Sequence, residues 1–218
     1  MTERNLKSGM IILSEDARHP FERLLKGWGR AVSAYIEQVG RIEAPYYFNE
    51  RSNVSLLAAG AWIMKGVAVE EYPVSRSSAD FSQTNGRCDL FISIDGQGAE
   101  LEAKYFPYRR NETRDVFARQ LKSKITEAVS AAATLPEYIY KRAGCVFYPV
   151  RIASAKRMSV AMKEMAIRGE LEHYISDLRD NADIVAWCFP ENARDIFLEA
   201  DGDFYPGVVL AIKLVKVA

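Results

Sequence analysis

The sequence predicts an α/β fold, built in the order helix, three strands, helix, strand, with further elements at both ends. Two observations carry that expectation. Apolar residues switch from a helical to a strand period and back along the chain, and Asp95-Gly96-Gln97-Gly98 marks a tight hairpin between the second and third strands. A third sets the size: 218 residues, 49% of them hydrophobic, can bury one good core, so residues 1–218 read as a single domain.

Residues 21–40 read as a helix, because Phe21, Leu24, Leu25, Trp28, Val32, Tyr35, Ile36 and Val39 recur near helical spacing. A second helix follows Pro45, with Asn49 as N-cap, and runs through Val54, Leu57, Ala58, Ala61 and Met64 to Gly66. The period then changes, and residues 67–74, 87–94 and 99–105 read as three strands. A helix over 113–133 is ended by Leu135-Pro136, and 145–152 gives a fourth strand. Beyond it, 160–178 reads as a helix, 184–189 as a strand, and 196–198 with 208–215 as a terminal pair. Trp28 and Trp62 fall on or beside helical apolar stripes and are expected in the core.

Twenty-nine basic residues balance 29 acidic ones, so the whole molecule lacks the charge footprint of a non-specific nucleic-acid binder, and any such surface must be local. Cys88, Cys145 and Cys188 are odd in number, widely separated and without a CxxC pair, so neither a disulfide framework nor a zinc site is suggested and a reducing cytoplasm fits best. The N-terminus lacks the order of a signal peptide and no apolar run approaches a membrane span, so a cytoplasmic protein is expected. His19 and His173 have no second histidine nearby, and Asp201-Gly202-Asp203 reads as a turn rather than part of a calcium loop.

The hairpin carries the chemistry. With Asp95 opposite Gly98, Leu90 pairs with Ala103, Ile92 with Leu101 and Ile94 with Ala99 on one apolar face. Because side chains alternate along a strand, the other face then holds Asp89 opposite Lys104, Phe91 opposite Glu102 and Ser93 opposite Glu100. Two carboxylates can hold a hard cation such as magnesium while leaving room for water and a phosphate oxygen. A lysine beside them can orient the water or stabilise developing charge, as phosphodiester hydrolysis requires. The alternative is a cross-strand ion pair on a solvated face. Glu50 weighs against it, since it lies on the same helical face as Val54 and Leu57 and is aimed at the core. A first-turn carboxylate favoured by the helix dipole is the alternative for Glu50.

These pieces resemble the PD-(D/E)xK nuclease superfamily, the fold of many restriction endonucleases, Holliday-junction resolvases and recombination exonucleases. The resemblance spans about residues 46–152: Glu50 matches the helix glutamate, Gly86-Arg87-Cys88-Asp89 the segment with the first aspartate, and Glu102-Ala103-Lys104 the ExK element. Cys88 stands where the name-giving motif has proline. The resemblance implies a restriction-endonuclease-like core, a mixed central sheet (αβββαβ) flanked by helices, with an N-terminal helix and a C-terminal αβββ addition. It further implies a nuclease acting on DNA with magnesium, or manganese, held by Asp89, Glu102 and Glu50, with Lys104 assisting the attacking water. Gln120 resembles a glutamine that exonuclease-like members place near the active site, although Lys124 stands where those members have tyrosine.

Residues 104–124 carry seven basic side chains against two acidic ones, which makes the loop and helix after the ExK strand the expected phosphate contact. Arg109, Arg110 and Arg114 are the candidates, with Tyr105, Phe106 and Tyr108 available to stack or pack. Cleavage of both strands would favour a homodimer. A catalytically silent nucleic-acid or protein-binding module and a small-molecule metal hydrolase are the competing readings. Residues 156–218 carry no functional signal.

Overall fold

The structure, a computed structural model, describes residues 7–77, 83–107, 113–136, 140–152, 158–194, 196 and 203–216. Its elements run β1 (Ser8–Ile12), α1 (Arg18–Gln38), α2 (Glu50–Ile63), β2 (Val67–Ser77), β3 (Gln83–Ile94), β4 (Gln97–Tyr105), α3 (Arg114–Ala133), β5 (Lys141–Ile152), α4 (Val160–Leu178), β6 (Ile184–Cys188) and β7 (Phe204–Leu214). Among the described residues seven strands form one sheet in the order β1-β6-β7-β5-β4-β3-β2. β4 and β5 are parallel, with α3 as the crossover between them. Every other neighbouring pair is antiparallel, so this is an α/β fold on a mixed sheet. One face packs against α1 and α2, the other against α3 and α4. β5 lies mid-sheet, and its run from Ala143 to Val150 is buried on both faces.

α1 buries Phe21, Leu24, Leu25, Trp28, Val32 and Ile36. It crosses α2 where Gly27 meets Gly60: a Cβ on Gly60 would stand 2.5 Å from the Trp28 backbone nitrogen, and one on Gly27 would stand 2.1 Å from the Gly60 oxygen. Only bare backbones fit at that crossing. Trp62 departs from expectation, being 58% exposed. The stripe that α2 buries runs through Asn53, Val54, Leu57, Ala58 and Ala61, and Trp62 falls outside it.

Three further differences bear on topology. β1 had no counterpart in the sequence reading; its short Ser-Gly-Met-Ile-Ile run shows no alternation, and its partner β6 lies far along the chain. β2 continues to Ser77 and β3 begins at Gln83, beyond the expected limits. Ile196 is buried but belongs to no strand, and residues 197 and 198 lie outside the described residues, so the described C-terminal addition is α4, β6 and β7.

The β3–β4 hairpin turns one residue earlier than anticipated, with Ile94 rather than Asp95 in the last pair and Gln97 rather than Gly98 opposite it. Asp95 and Gly96 both take positive φ, 53° and 75°, and close a two-residue turn by themselves. Leu90 therefore pairs with Leu101, Phe91 with Glu100 and Ile92 with Ala99. A shift of two preserves parity, so Leu90, Ile92, Leu101 and Ala103 still share the face against α1 and α2.

At Asp89 the alternation breaks. The β2–β3 ladder pairs Glu70 with Leu90 and Tyr72 with Cys88 but skips Glu71 and Asp89, and Glu71 has φ 53°. Before this point Ala68 and Leu90 pack on the α1–α2 side; after it Tyr72, Val74 and Cys88 pack with Ala132 and Leu135 at the end of α3.

Candidate functional site

α2 starts at a fixed point. Asn49 Oδ1 accepts from the Ser52 backbone N–H at 3.0 Å while Ser52 Oγ accepts from the Asn49 backbone N–H at 3.3 Å, a reciprocal cap. The buried Asn53 amide donates to the Tyr46 and Asn49 carbonyls. Tyr105 Oη donates to the Tyr47 carbonyl at 2.7 Å, tying the end of β4 to the segment that leads into α2. Glu50, half-buried in the first turn, is thereby held beside Tyr105. Burial pushes its carboxyl up, the Lys104 ammonium draws it down, Asp89 raises it, and the Tyr105 backbone and Glu127 add smaller opposing effects.

Asp89 stands where the β3–β4 ladder ends, its last pair being Leu90 with Leu101. Its Oδ2 accepts from the Ala103 backbone N–H at 2.7 Å, so the side chain takes the place of a ladder acceptor. Beside it, Glu50, Arg51, Val54, Ser55, Glu70, Glu71 and Arg87 complete the lining of a cleft of about 200 Å³. Within that cleft Glu70 accepts from Ser55 at 2.8 Å, and Glu71 lies 3.6 Å from Arg51 and 3.7 Å from Arg87.

Glu102 is buried on the sheet face toward the end of α3. Burial, then the neighbouring Asp89 charge, push its carboxyl up to about 7 even though Arg76 and Lys104 pull the other way. Arg76 Nη2 lies 2.5 Å from Glu102 Oε1. Lys104 is half-buried, and its Nζ donates to the Ala103 carbonyl at 2.8 Å. Cys145, beneath the site on β5, is held well above the usual thiol range by burial, then by Asp89, Glu50 and Glu102 in turn, with Lys104 opposing. One buried thiol thus senses all four side chains.

The four residues singled out from the sequence, drawn from α2, β3 and β4, therefore share one electrostatic neighbourhood. They are not assembled into a ligand set: among the described residues no three His, Cys, Asp or Glu side chains are grouped to hold a metal ion. The donor chemistry nonetheless fits a hard divalent cation, since all three candidate ligands are carboxylates and the charge of Asp89 raises both Glu102 and Glu50.

Other expected residues lie elsewhere or out of view. Arg114 reaches Glu170 and Asp177 of α4 at 3.8 and 3.6 Å, so its charge is already engaged. Arg109, Arg110 and Tyr108 lie outside the described residues. Phe106 is core, stacked on Phe117 with centroids 5.4 Å apart. Gln120 is half-buried on α3. Asp201 and Gly202 lie outside the described residues, while Asp203 is buried in an ion pair with Arg151. No helix among the described residues is long and apolar enough to cross a membrane.

Two participants were missed. Arg76 lies past the point where the strand period was expected to stop, yet Tyr72, Val74 and Arg76 keep the alternation that places it on the Glu102 side. Glu127 of α3, paired with Lys124 at 2.6 Å, acts on Glu50 from a fourth element and has no sequence signal of its own.

Compared with protein-family models, curated proteins and solved structures, the chain matches none of them.

Proposed function

We propose that this protein is a metal-dependent nuclease with a restriction-endonuclease-like core, hydrolysing DNA phosphodiester bonds at Asp89, Glu102, Lys104 and Glu50. One observation carries the reading: Asp89 Oδ2 accepts from the Ala103 backbone N–H at 2.7 Å, which sets it against the Glu102-Ala103-Lys104 segment of β4, while with Glu50 of α2 it lines one cleft. The order α2, β2, β3, β4, α3, β5, with β4 parallel to β5, supports the αβββαβ core.

In this reading Asp89 and Glu102 hold magnesium or manganese, which supplies Lewis-acid charge neutralisation and a more acidic water. Glu50 completes the negative charge of the site. Lys104 presents its ammonium to the attacking water and to charge building on the phosphate. Arg109 and Arg110, which follow Lys104 closely in sequence, supply phosphate contacts, while Arg114 contributes mainly to the α3–α4 contact.

A second reading, a silent nucleic-acid or protein-binding module, is favoured by one observation: Glu102 is already paired with Arg76. Cleavage of supercoiled, linear and single-stranded DNA with magnesium or manganese separates the two, comparing the native protein with Lys104→Ala and Asp89→Asn. Metal-dependent cutting lost in both variants supports the nuclease. Absence of cutting by well-folded native protein supports the silent module. Cutting of small phosphodiesters that survives Arg109→Ala with Arg110→Ala would identify a small-molecule hydrolase instead.

A further inference from the structure

Arg76 occupies a berth built for a guanidinium. A Cβ on Gly86 would stand 2.6 Å from its Nε and 2.7 Å from its Cδ, so the side chain lies close across β3 at a position where glycine leaves it room. At the far end, Nη1 donates to Thr134 Oγ1 at 2.9 Å and to the Ala131 carbonyl at 3.2 Å, at the C-terminal end of α3 where helix carbonyls favour a cation. Nη2 donates to the Arg87 carbonyl and to Glu102 Oε1, the latter at 2.5 Å. The Glu102 side chain is 5% exposed and that of Arg76 21%, so the pair is shielded from solvent.

A divalent ion on Glu102 and the guanidinium on the same carboxylate would place like charges in contact inside a poorly solvated pocket, where their repulsion is weakly screened. Of the four acceptors that hold Arg76, three are two backbone carbonyls and one hydroxyl, and none of these depends on Glu102. The guanidinium can release the carboxylate and keep its berth.

We propose that Arg76 is a resident cation that holds Glu102 in the metal-free protein and is displaced from that carboxylate when a divalent ion binds, so that Arg76 sets the metal concentration at which the site loads. The proposal rests on the reading of Asp89 and Glu102 as a metal pair. It makes Arg76 a positioning residue, because it acts through Glu102 rather than on substrate. It also assigns a role to Gly86 and Thr134, which form the berth.

The test is manganese binding, without nucleic acid, read by calorimetry and by the spin-resonance signal of the bound ion, at a pH above the range in which Glu102 titrates. Arg76→Gln, which keeps a hydrogen-bond donor but removes the competing charge, is expected to bind manganese about tenfold or more tightly than the native protein. In the native protein, the Arg76 Nε–H resonance is expected to shift on titration with magnesium and to stay in place with sodium at equal ionic strength. That measurement does not depend on the variant folding. Equal or weaker binding by folded Arg76→Gln, or an Arg76 resonance unmoved at saturating magnesium, overturns the displacement while leaving the metal site standing. No manganese bound by either folded protein overturns the metal reading and the displacement with it.

Discussion

Asp89 Oδ2 accepts a hydrogen bond from the Ala103 backbone N–H, at the centre of the Glu102-Ala103-Lys104 segment. The same carboxylate thus fixes the backbone of that strand and charges the site, and the two roles are separable. Asp89→Asn keeps an amide oxygen that can accept from Ala103, so its stability should stay within about 1 kcal/mol of native while metal-dependent cleavage falls by roughly 100-fold or more. Asp89→Ala strands the Ala103 N–H and should cost about 1–3 kcal/mol as well. Chemical denaturation beside a cleavage assay checks both; equal stability of the two variants would deny the hydrogen bond a structural role.

Lys104 donates to the carbonyl of the preceding residue and is only half-buried. Truncating it therefore removes little packing. Lys104→Ala should unfold within about 1 kcal/mol of native. Its cleavage rate at saturating metal should nevertheless fall by roughly 100-fold or more, as for loss of one group that stabilises transition-state charge. A variant that melts early would place the lysine in the scaffold instead.

Glu102 gives the metal-free protein a pH signature. Its carboxyl is raised from 4.5 to about 7 by burial and by Asp89, so the native state holds this proton more tightly than the unfolded chain does. The stabilisation from the protonated form is complete below 4.5 and is lost as pH rises through about 7, an effect of about 3 kcal/mol in order of magnitude. Glu102→Gln should flatten that part of the stability profile, so the difference between native and variant denaturation curves across this interval is the quantity to measure.

Gly60 sets the distance between α1 and α2. A methyl group there would meet the Trp28 backbone rather than a side chain that could turn away. Gly60→Ala should cost about 3 kcal/mol, at the upper end for overpacking, because both helices must separate. Cleavage should fall too, since α2 carries Glu50; thermal unfolding of Gly60→Ala near the native temperature would refute the close crossing.

Much of this architecture was legible where local signals agree with the tertiary outcome. Asn49 both caps α2 and precedes its apolar stripe, and α4 runs from Val160 to Leu178 as its period indicates. The hairpin was recognised from Asp95-Gly96, but its register was misread by two because those two residues alone close the turn. The faces survived that error, which is why Glu102 and Lys104 could still be grouped. Arg76 was lost because Ser75-Arg76-Ser77 breaks the apolar rhythm, and what extends β2 there is pairing with β3 rather than any local preference. The reversal at Glu71 was invisible for a related reason: a glutamate at positive φ has no compositional mark, and only the neighbouring strand imposes it.

That reversal also limits how the molecule can associate. β2 is the outermost strand of the sheet, eleven residues long, with Val67 and Val69 exposed, and an unbroken edge of that length would template a strand from another chain. Glu71 interrupts its regular geometry and Pro73, two residues on, has no N–H to offer. An incoming strand can find register on one side of this break or on the other, but not across it. The irregularity at Glu71, where the ladder also skips Asp89, therefore doubles as a guard against edge-to-edge growth into aggregates.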